Sequence, residues 1–287
     1  MSPSNGNLRA PTPTRDACDD LLERLRELVR NSEQIPCMRV CAKTAYVLSS
    51  VRFDTAMVAL PLQGLKRART SSGRIESKPG SIFLVPSTCS VDIENIPDKE
   101  HGPYMSVAIP LEAHVTGAAR QLLRDPASDV KGDIESISID DHVPDLSAWL
   151  NALQAGDFPR ACHSMVSVVL RLYAHGHRGL MYSAPPTLGA QIRAMVAAGP
   201  AQEWSSAEIE AHLAMSGASL RRRLAAEGIS LREIIAEARL SHALTLLTST
   251  RLSVKAVAQR VGYSSASAFS RRFSERFGVD PSQVNTG

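Results

Sequence analysis

The chain has 287 residues, of which 44% are hydrophobic and 21% charged, and its 32 basic and 29 acidic side chains give a formal net charge of +3. This length is sufficient for two ordinary domains, each with its own core. No stretch approaches the roughly 18 uninterrupted apolar residues of a membrane helix, and the first residues lack the apolar segment of a signal peptide. We therefore expect a cytoplasmic protein with no membrane partner.

The N-terminal residues divide into a tail and a helix. Residues 1–16 are rich in Pro, Ser, Thr and Asn, which is typical of a flexible tail. The segment 16–33 then places Leu21, Leu22, Leu25 and Leu28 at helical spacing, with acidic residues early and Arg30 late, as the helix dipole prefers. The spacing predicts an amphipathic helix here.

Short β-branched runs separated by Gly, Pro and Ser fill residues 45–110. This texture predicts an antiparallel sandwich or barrel and not a series of βαβ units. The run PGSIFLVP at residues 79–86 resembles the Pro-Gly signature of cupin-like barrels, although Ser81 stands where an acid is usual.

A cupin-like barrel often holds a metal, but the ligands for one are not evident. His101 and His114 are the histidines near the strands, without a His-x-His pair, and Cys37 and Cys41 form too isolated a pair for zinc. We predict no catalytic residue, no metal and no cofactor. A cupin-like metalloenzyme with an appended helical domain is the alternative from the enzyme class.

The odd number of scattered cysteines indicates free thiols in a reducing compartment. A second alternative function follows from them: a regulator that senses oxidants or electrophiles through Cys37, Cys41 or Cys89.

Two further helices are predicted at residues 145–157 and 158–177. The second is apolar enough, with Met165, Val166 and Val169, to be either a core helix or a contact in a homodimer. Pro185 and Pro186 then mark a linker.

From Thr187 onward the chain is helical in its periodicity and carries a net charge of +4, from 12 basic and 8 acidic side chains, against −1 for the remainder. This part contains an internal repeat, since residues 206–224 align with residues 253–273. Each copy predicts a short helix, a turn of small residues at Ala214 or Gly262, a serine cap and a second helix with arginines. That is the arrangement of a helix-turn-helix, whose second helix enters the major groove of DNA.

These two copies, the segment 230–250 predicted as a long helix between them, and the ending VAQRVGYSSASAFSRRFSERFGVDPSQ resemble the AraC/XylS family of bacterial transcription regulators. The resemblance covers roughly residues 187–283. It implies promoter DNA and RNA polymerase as partners, and activation more often than repression.

The resemblance also implies which side chains meet DNA. Residues that flank the buried Leu or Phe anchors would face the bases, and two further arginines would contact phosphates. The predicted DNA-binding residues are Ala218, Arg221, Arg222 and Arg223 in the first copy, and Ser267, Ala268, Arg271 and Arg272 in the second, with Arg223 and Arg272 as the phosphate partners. Ala225 and Ala226 replace two basic residues usual in the family, and Val284 replaces an aromatic. We therefore expect the first copy to grip the DNA backbone weakly, with the second copy or a dimer supplying affinity.

The N-terminal half resembles the ligand-sensing domains of one branch of the same family. Gln63, Gly64, Lys66 and Arg67 match a recurring segment there, which makes Lys66 and Arg67 candidates for binding a small-molecule effector of unknown identity. The alternative is that both cations lie on the solvated edge of a hairpin.

Together these observations predict an α+β chain. We expect a tail at 1–16, a cupin-like antiparallel β-barrel with helices at 17–180 for sensing and dimerisation, a linker at 181–187, and an all-α DNA-binding domain with two helix-turn-helix motifs at 188–287.

Overall fold

The computed structural model describes residues 15–31, 37–70, 73–123, 132–182 and 187–284. The strands within these ranges are β1 (Met38–Ala42), β2 (Tyr46–Phe53), β3 (Met57–Gln63), β4 (Leu65–Thr70), β5 (Gly73–Ser77), β6 (Ser81–Val85), β7 (Cys89–Ile96), β8 (Tyr104–Pro110) and β9 (Glu135–Ser138). The helices are α1 (Arg15–Asn31), α2 (Ala113–Leu123), α3 (Val143–Gln154), α4 (Phe158–Ala174), α5 (Leu188–Ala198), α6 (Ser206–Leu213), α7 (Gly217–Ala226), α8 (Leu231–Ser249), α9 (Val254–Arg260), α10 (Ala266–Phe277) and α11 (Pro281–Val284).

The strands form two antiparallel sheets, one with the order β1-β8-β3-β6-β9 and the other with the order β2-β7-β4-β5. Side chains of both sheets share one apolar cluster, in which Ala59 and Phe83 of the first sheet join Ala68 and Ile93 of the second. The predicted α+β class and the antiparallel barrel are confirmed.

The outer face of the five-stranded sheet is covered by helices α1 to α4. Alternation along β3 explains this arrangement, because Val58, Leu60 and Leu62 point away from the barrel interior while Ala59 points into it. The outward side chains pack with Leu25 of α1 and with apolar residues of the other three helices, so the N-terminal core lies between sheet and helices.

Helix α4 is a core helix in this arrangement. Met165, Val166 and Val169, the side chains that raised the question of a dimer contact, are all buried in the N-terminal core. The homodimer stays a prediction.

Some boundaries differ from those expected. Helix α1 begins at Arg15, so the last two residues assigned to the tail are helical, while residues 1–14 lie outside the described ranges, as do residues 183–186 of the predicted linker. Strand β9 and helix α2 occupy segments in which the sequence pattern indicated no element. No helix in the described part of the chain is both long and apolar enough to cross a membrane.

The C-terminal helices form two modules around α8, and the modules have different cores. The first module (α5 to α7 with the start of α8) has its own cluster, which includes Ile192, Leu220 and Ile234. The second module (α9 to α11 with the rest of α8) shares one cluster with strands β1 and β2 of the barrel, and this cluster contains both Phe273 and Leu48. The second module is thus continuous with the barrel.

Candidate nucleic-acid interface and barrel cavity

The first helix-turn-helix consists of α6 and α7. Ser205 caps α6 in a capping box with Glu208, and Ser216 caps α7 by accepting a hydrogen bond from the backbone N–H of Ser219. Between the helices, Ala214 adopts the left-handed conformation at φ 49°, which is uncommon for a residue other than glycine and marks a tight turn. The predicted turn and caps are present.

The second helix-turn-helix consists of α9 and α10 and repeats this geometry with glycine at the turn. Gly262 has φ 84°, and a Cβ there would lie 3.1 Å from the carbonyl oxygen of Pro200. Ser265 caps α10 by accepting from the N–H of Ala268, and Gly278 ends the helix at φ 78°. The two copies therefore fold alike, as the repeat predicts.

The apolar anchors of both recognition helices are buried. Leu220 and Leu224 fix α7, while Phe269, Phe273 and Phe277 form a spine along α10 with ring centroids 5.6 Å and 4.8 Å apart. This burial fixes which face of each helix is free to meet another molecule.

The predicted DNA-binding side chains lie on the free faces. Ala218, Arg221, Arg222, Arg223, Ser267, Arg271 and Arg272 are exposed, and Ala268 is half-buried. Ser267 and Arg271 stand one turn apart on the side of α10 opposite Phe269. Arg271 is 72% exposed, with its Nε 3.9 Å from Glu275, so this exposed ion pair holds it only weakly.

Helix α7 is shorter than α10, with 10 residues against 12. It ends at Ala226, and Gly228 follows at φ 70°. Ala225 and Ala226 are exposed. Because alanine is uncharged, these two positions present no cation at the end of the helix. Val284, the residue in place of an aromatic, is fully buried in the second core.

Two arginines that the sequence pattern did not indicate, Arg232 and Arg239, lie beside the predicted DNA-binding residues. A groove of about 790 Å³ runs between the start of α8 and the start of α10, and Arg232, Arg239 and Arg272 all line it. Arg232 and Arg239 are seven residues apart, which is two helical turns and therefore one face of α8. This seven-residue spacing is the sequence signal that could have identified the two arginines. The groove adds positive charge between the modules.

In the barrel, the two effector candidates point to opposite sides of β4. Arg67 lies on the outer side in ion pairs with Glu76 at 2.9 Å and Glu94 at 2.7 Å. Lys66 is 5% exposed, and its Nζ donates a hydrogen bond of 2.9 Å to Oδ1 of Asn95. Burial lowers the pKa of Lys66 from 10.5 to about 7.

Lys66 borders a small cavity between the two sheets. The cavity has a volume of about 70 Å³, its wall is almost entirely apolar, and Leu244 and Thr248 of α8 close one side of it. No acidic side chain is among its lining residues. The ammonium group also lies 5.8 Å from the ring centroid of Phe83 and 5.5 Å from that of Tyr104.

The Gln63-Gly64 part of the same segment has a structural role. The side-chain amide of Gln63 donates to the carbonyl oxygens of His101 and Pro103 and so holds the connection before β8. Gly64 has φ 77°, and a Cβ there would lie 2.4 Å from the carbonyl oxygen of Ile96.

The three thiols considered as sensors lie in different surroundings. Cys37 is buried, which raises its pKa to about 12, and burial also raises the pKa of Cys41. Cys89 donates its S–H to the carbonyl oxygen of Pro86 at 3.1 Å. The thiolate is the reactive form, so Cys37 and Cys41 are poorly placed to sense electrophiles. The described residues contain no group of three His, Cys, Asp or Glu side chains arranged to hold a metal.

Comparison with known proteins agrees with the geometry of the C-terminal modules. Residues 209–286 match a family model described as a helix-turn-helix domain. The chain is 31% identical over 91 residues to the virulence regulon transcriptional activator VirF of Shigella flexneri, and 31% identical over 98 residues to the HTH-type transcriptional regulator GadX of Escherichia coli strain K12. These matches cover 32% and 34% of this chain, and only 35% and 36% of the two relatives, so they concern about a third of each protein.

Solved structures extend the likeness to nearly the whole chain. The apo form of a ToxT variant from Vibrio cholerae superimposes with a TM-score of 0.62, covering 89% of this chain and 99% of ToxT at 15% identity. ToxT with bound unsaturated fatty acid gives a TM-score of 0.61 at the same identity. At this identity the likeness establishes the fold, a barrel followed by two helix-turn-helix modules.

Proposed function

We infer from the helix-turn-helix domain matched at residues 209–286, and from the similarity to VirF and GadX, that the protein is an AraC-type transcription regulator that binds specific DNA sequences. The observation that carries this inference is the pair of capped recognition helices, each with buried anchors and an exposed arginine face. In the major groove of DNA, Arg222 and Arg271 contact the bases, because a guanidinium pairs bidentately with guanine. Arg223 and Arg272 contact phosphates and position the helices.

The test starts from duplex DNA selected from random sequence by the full-length protein. Arg222→Ala and Arg271→Ala should each cost about 1–3 kcal/mol on the selected site and relax its sequence preference, since each removes a base contact. Arg223→Ala should weaken binding to selected and scrambled DNA alike. Arg30→Ala, at an exposed position near the end of α1, is the matched control and should bind as the wild type does. Equal binding of wild type and Arg271→Ala to the selected site would contradict the base-reading assignment.

The barrel cavity supports a proposal about the effector. Lys66 is a buried amine, no acidic residue lines its cavity, and a ligand with an acidic group would supply the negative charge that its protonated form lacks. ToxT, which has the same fold, binds an unsaturated fatty acid. At about 70 Å³ the cavity has room for only a short apolar chain, so we propose a small apolar carboxylic acid as the effector class.

Calorimetric titration of the full-length protein tests this proposal with butanoate and butan-1-ol. We expect butanoate to bind more tightly than butan-1-ol, because only the acid pairs with Lys66. Lys66→Met should remove that preference, while Arg67→Met, on the outer side of the same strand, should keep it. Tighter binding of the alcohol, or an unchanged preference in Lys66→Met, would overturn the ligand assignment.

Further parts of the function are proposals of the same kind. VirF is a transcriptional activator, which supports activation and contact with RNA polymerase here, both measurable by transcription in vitro from the selected site. Binding to promoter DNA supports a location in the cytoplasm. We propose a division of the chain at residues 181–187 and a homodimer formed by the N-terminal domain, which limited proteolysis and analytical ultracentrifugation test.

A further inference from the structure

The C-terminal end of recognition helix α10 rests on strand β2 of the barrel. Arg276 donates through Nη1 to the carbonyl oxygen of Ser49 at 3.2 Å and through Nη2 to that of Ser50 at 3.0 Å. Strand β2 has a register shift at this point, between Leu48 and Val51, and Ser50 has φ 50°. The irregular strand thus presents two successive carbonyl groups to one guanidinium.

The contact is also close at the helix end. Gly278 ends α10, and a Cβ at this position would lie 3.1 Å from Oγ of Ser49. Gly228, two residues beyond the end of α7, has a similar left-handed conformation, yet a Cβ there would meet nothing within 4 Å. The two glycines differ in that only Gly278 lies against the barrel.

The two modules are joined to the barrel in different ways. The second module shares an apolar core with β1 and β2, as described above. The first module has a separate core, and its α5 meets the barrel through the ion pair of Arg193 with Asp54 at 2.9 Å. Arg193 is buried and bonds both carboxylate oxygens of Asp54, but an apolar core that spans several side chains fixes a relative orientation more firmly than a single residue pair.

We propose that the barrel is part of the DNA-reading unit of the second module: it positions α10 through the β2 contact, so that a change in the barrel reaches one half of the DNA site selectively. Leu244 and Thr248 of α8 line the barrel cavity, and Leu244 belongs to the core that seats α10. A ligand that widens the cavity therefore presses on the support of the second module. This inference rests on the proposed DNA-binding function.

The test uses full-length protein, the selected duplex and hydroxyl-radical footprinting. The Arg222→Ala and Arg271→Ala variants first assign the two half-sites to α7 and α10. Gly278→Ala then introduces backbone strain and a tight contact with Ser49, whereas Gly228→Ala introduces the strain alone. We expect Gly278→Ala to reduce affinity about fivefold to thirtyfold, the ratio that corresponds to about 1–2 kcal/mol, with protection lost in the α10 half-site.

Rescue separates positioning from simple damage to the fold. Adding Ser49→Ala removes the crowding Oγ and should restore α10 half-site protection in Gly278→Ala to the level set by strain alone, without effect on Gly228→Ala. Arg276→Gln should also weaken the α10 half-site, more than Glu237→Gln, which leaves both carbonyl contacts of Arg276 in place. Thermal melts identify any variant that has lost its fold.

Two results would overturn the inference: no rescue by Ser49→Ala, or loss of protection to the same extent in both half-sites in Gly278→Ala and Arg276→Gln. Failure of the proposed function would differ from both, because the wild-type protein would then select no DNA at all.

Discussion

Replacing Lys66 by Met should stabilise the protein at acidic pH and have little effect at alkaline pH. The pKa of Lys66 falls from 10.5 in the unfolded chain to about 7 in the folded protein, so the unfolded chain binds the proton more tightly. Protonation therefore favours unfolding. This penalty is fully present below about pH 7 and declines as the pH rises toward 10.5.

The magnitude follows from the size of the shift. A difference of this size corresponds to about 5 kcal/mol at pH ~6 and about 2 kcal/mol at pH ~9, so the penalty should change by about 3 kcal/mol between them. Methionine avoids the penalty but leaves Oδ1 of Asn95 without its donor, at a cost of about 1–3 kcal/mol. We therefore expect net stabilisation of about 2–4 kcal/mol at the lower pH and almost none at the higher.

The assay is urea unfolding of the full-length protein at both pH values. A Trp204→Phe background leaves Trp149, in the N-terminal core, as the fluorescent reporter. The difference in the free energy of unfolding between Lys66→Met and its parent removes the contribution of the other titrating groups, which the two proteins share. Arg67→Met is the control, because Arg67 lies outside the barrel and stays charged at both values. If the difference for Lys66→Met is the same at both pH values, the reasoning about its burial is wrong.

Two further predictions concern the positions that fix the fold. Phe273→Ala should lower the free energy of unfolding by about 3–5 kcal/mol, since Phe273 is fully buried between Phe269 and Phe277, and a thermal melt that leaves Tm unchanged would contradict this. Gly64→Ala should destabilise the barrel more than Gly80→Ala in urea unfolding, because both have positive φ but only the Cβ at 64 meets backbone, at 2.4 Å from the oxygen of Ile96; equal losses would show that φ alone matters.

The helical half of the fold is readable from sequence because its signals are local. Serine caps, the left-handed residues Ala214 and Gly262, and the spacing of the phenylalanines specify each element within a few residues. Because the pattern occurs twice in the chain, each copy supports the prediction made from the other. Strand β9 is harder, because its four residues are at most half-buried and show no alternation.

The environment of Lys66 shows a different limit. In the strand LKRART, alternation places Lys66 and Ala68 on one face, but only Ala68 identifies that face as the inner one. Nothing local distinguishes a buried lysine from a solvated one, because its burial depends on Phe83 and Tyr104 from other strands. The partner of Arg276 is equally non-local, since it is backbone of β2, more than two hundred residues away. Contacts of this kind follow from the tertiary fold.

The core shared by the barrel and the second module restricts how the chain can be divided or recombined. A fragment containing only α5 to α11 would expose the apolar side chains of α8 and α10 that now pack against β1 and β2. Exposed apolar surface of that kind promotes aggregation. A chimaera that joins these helices to an unrelated sensor domain would therefore need compensating polar substitutions on the second module, whereas the first module, with its own core, is the part that tolerates transfer.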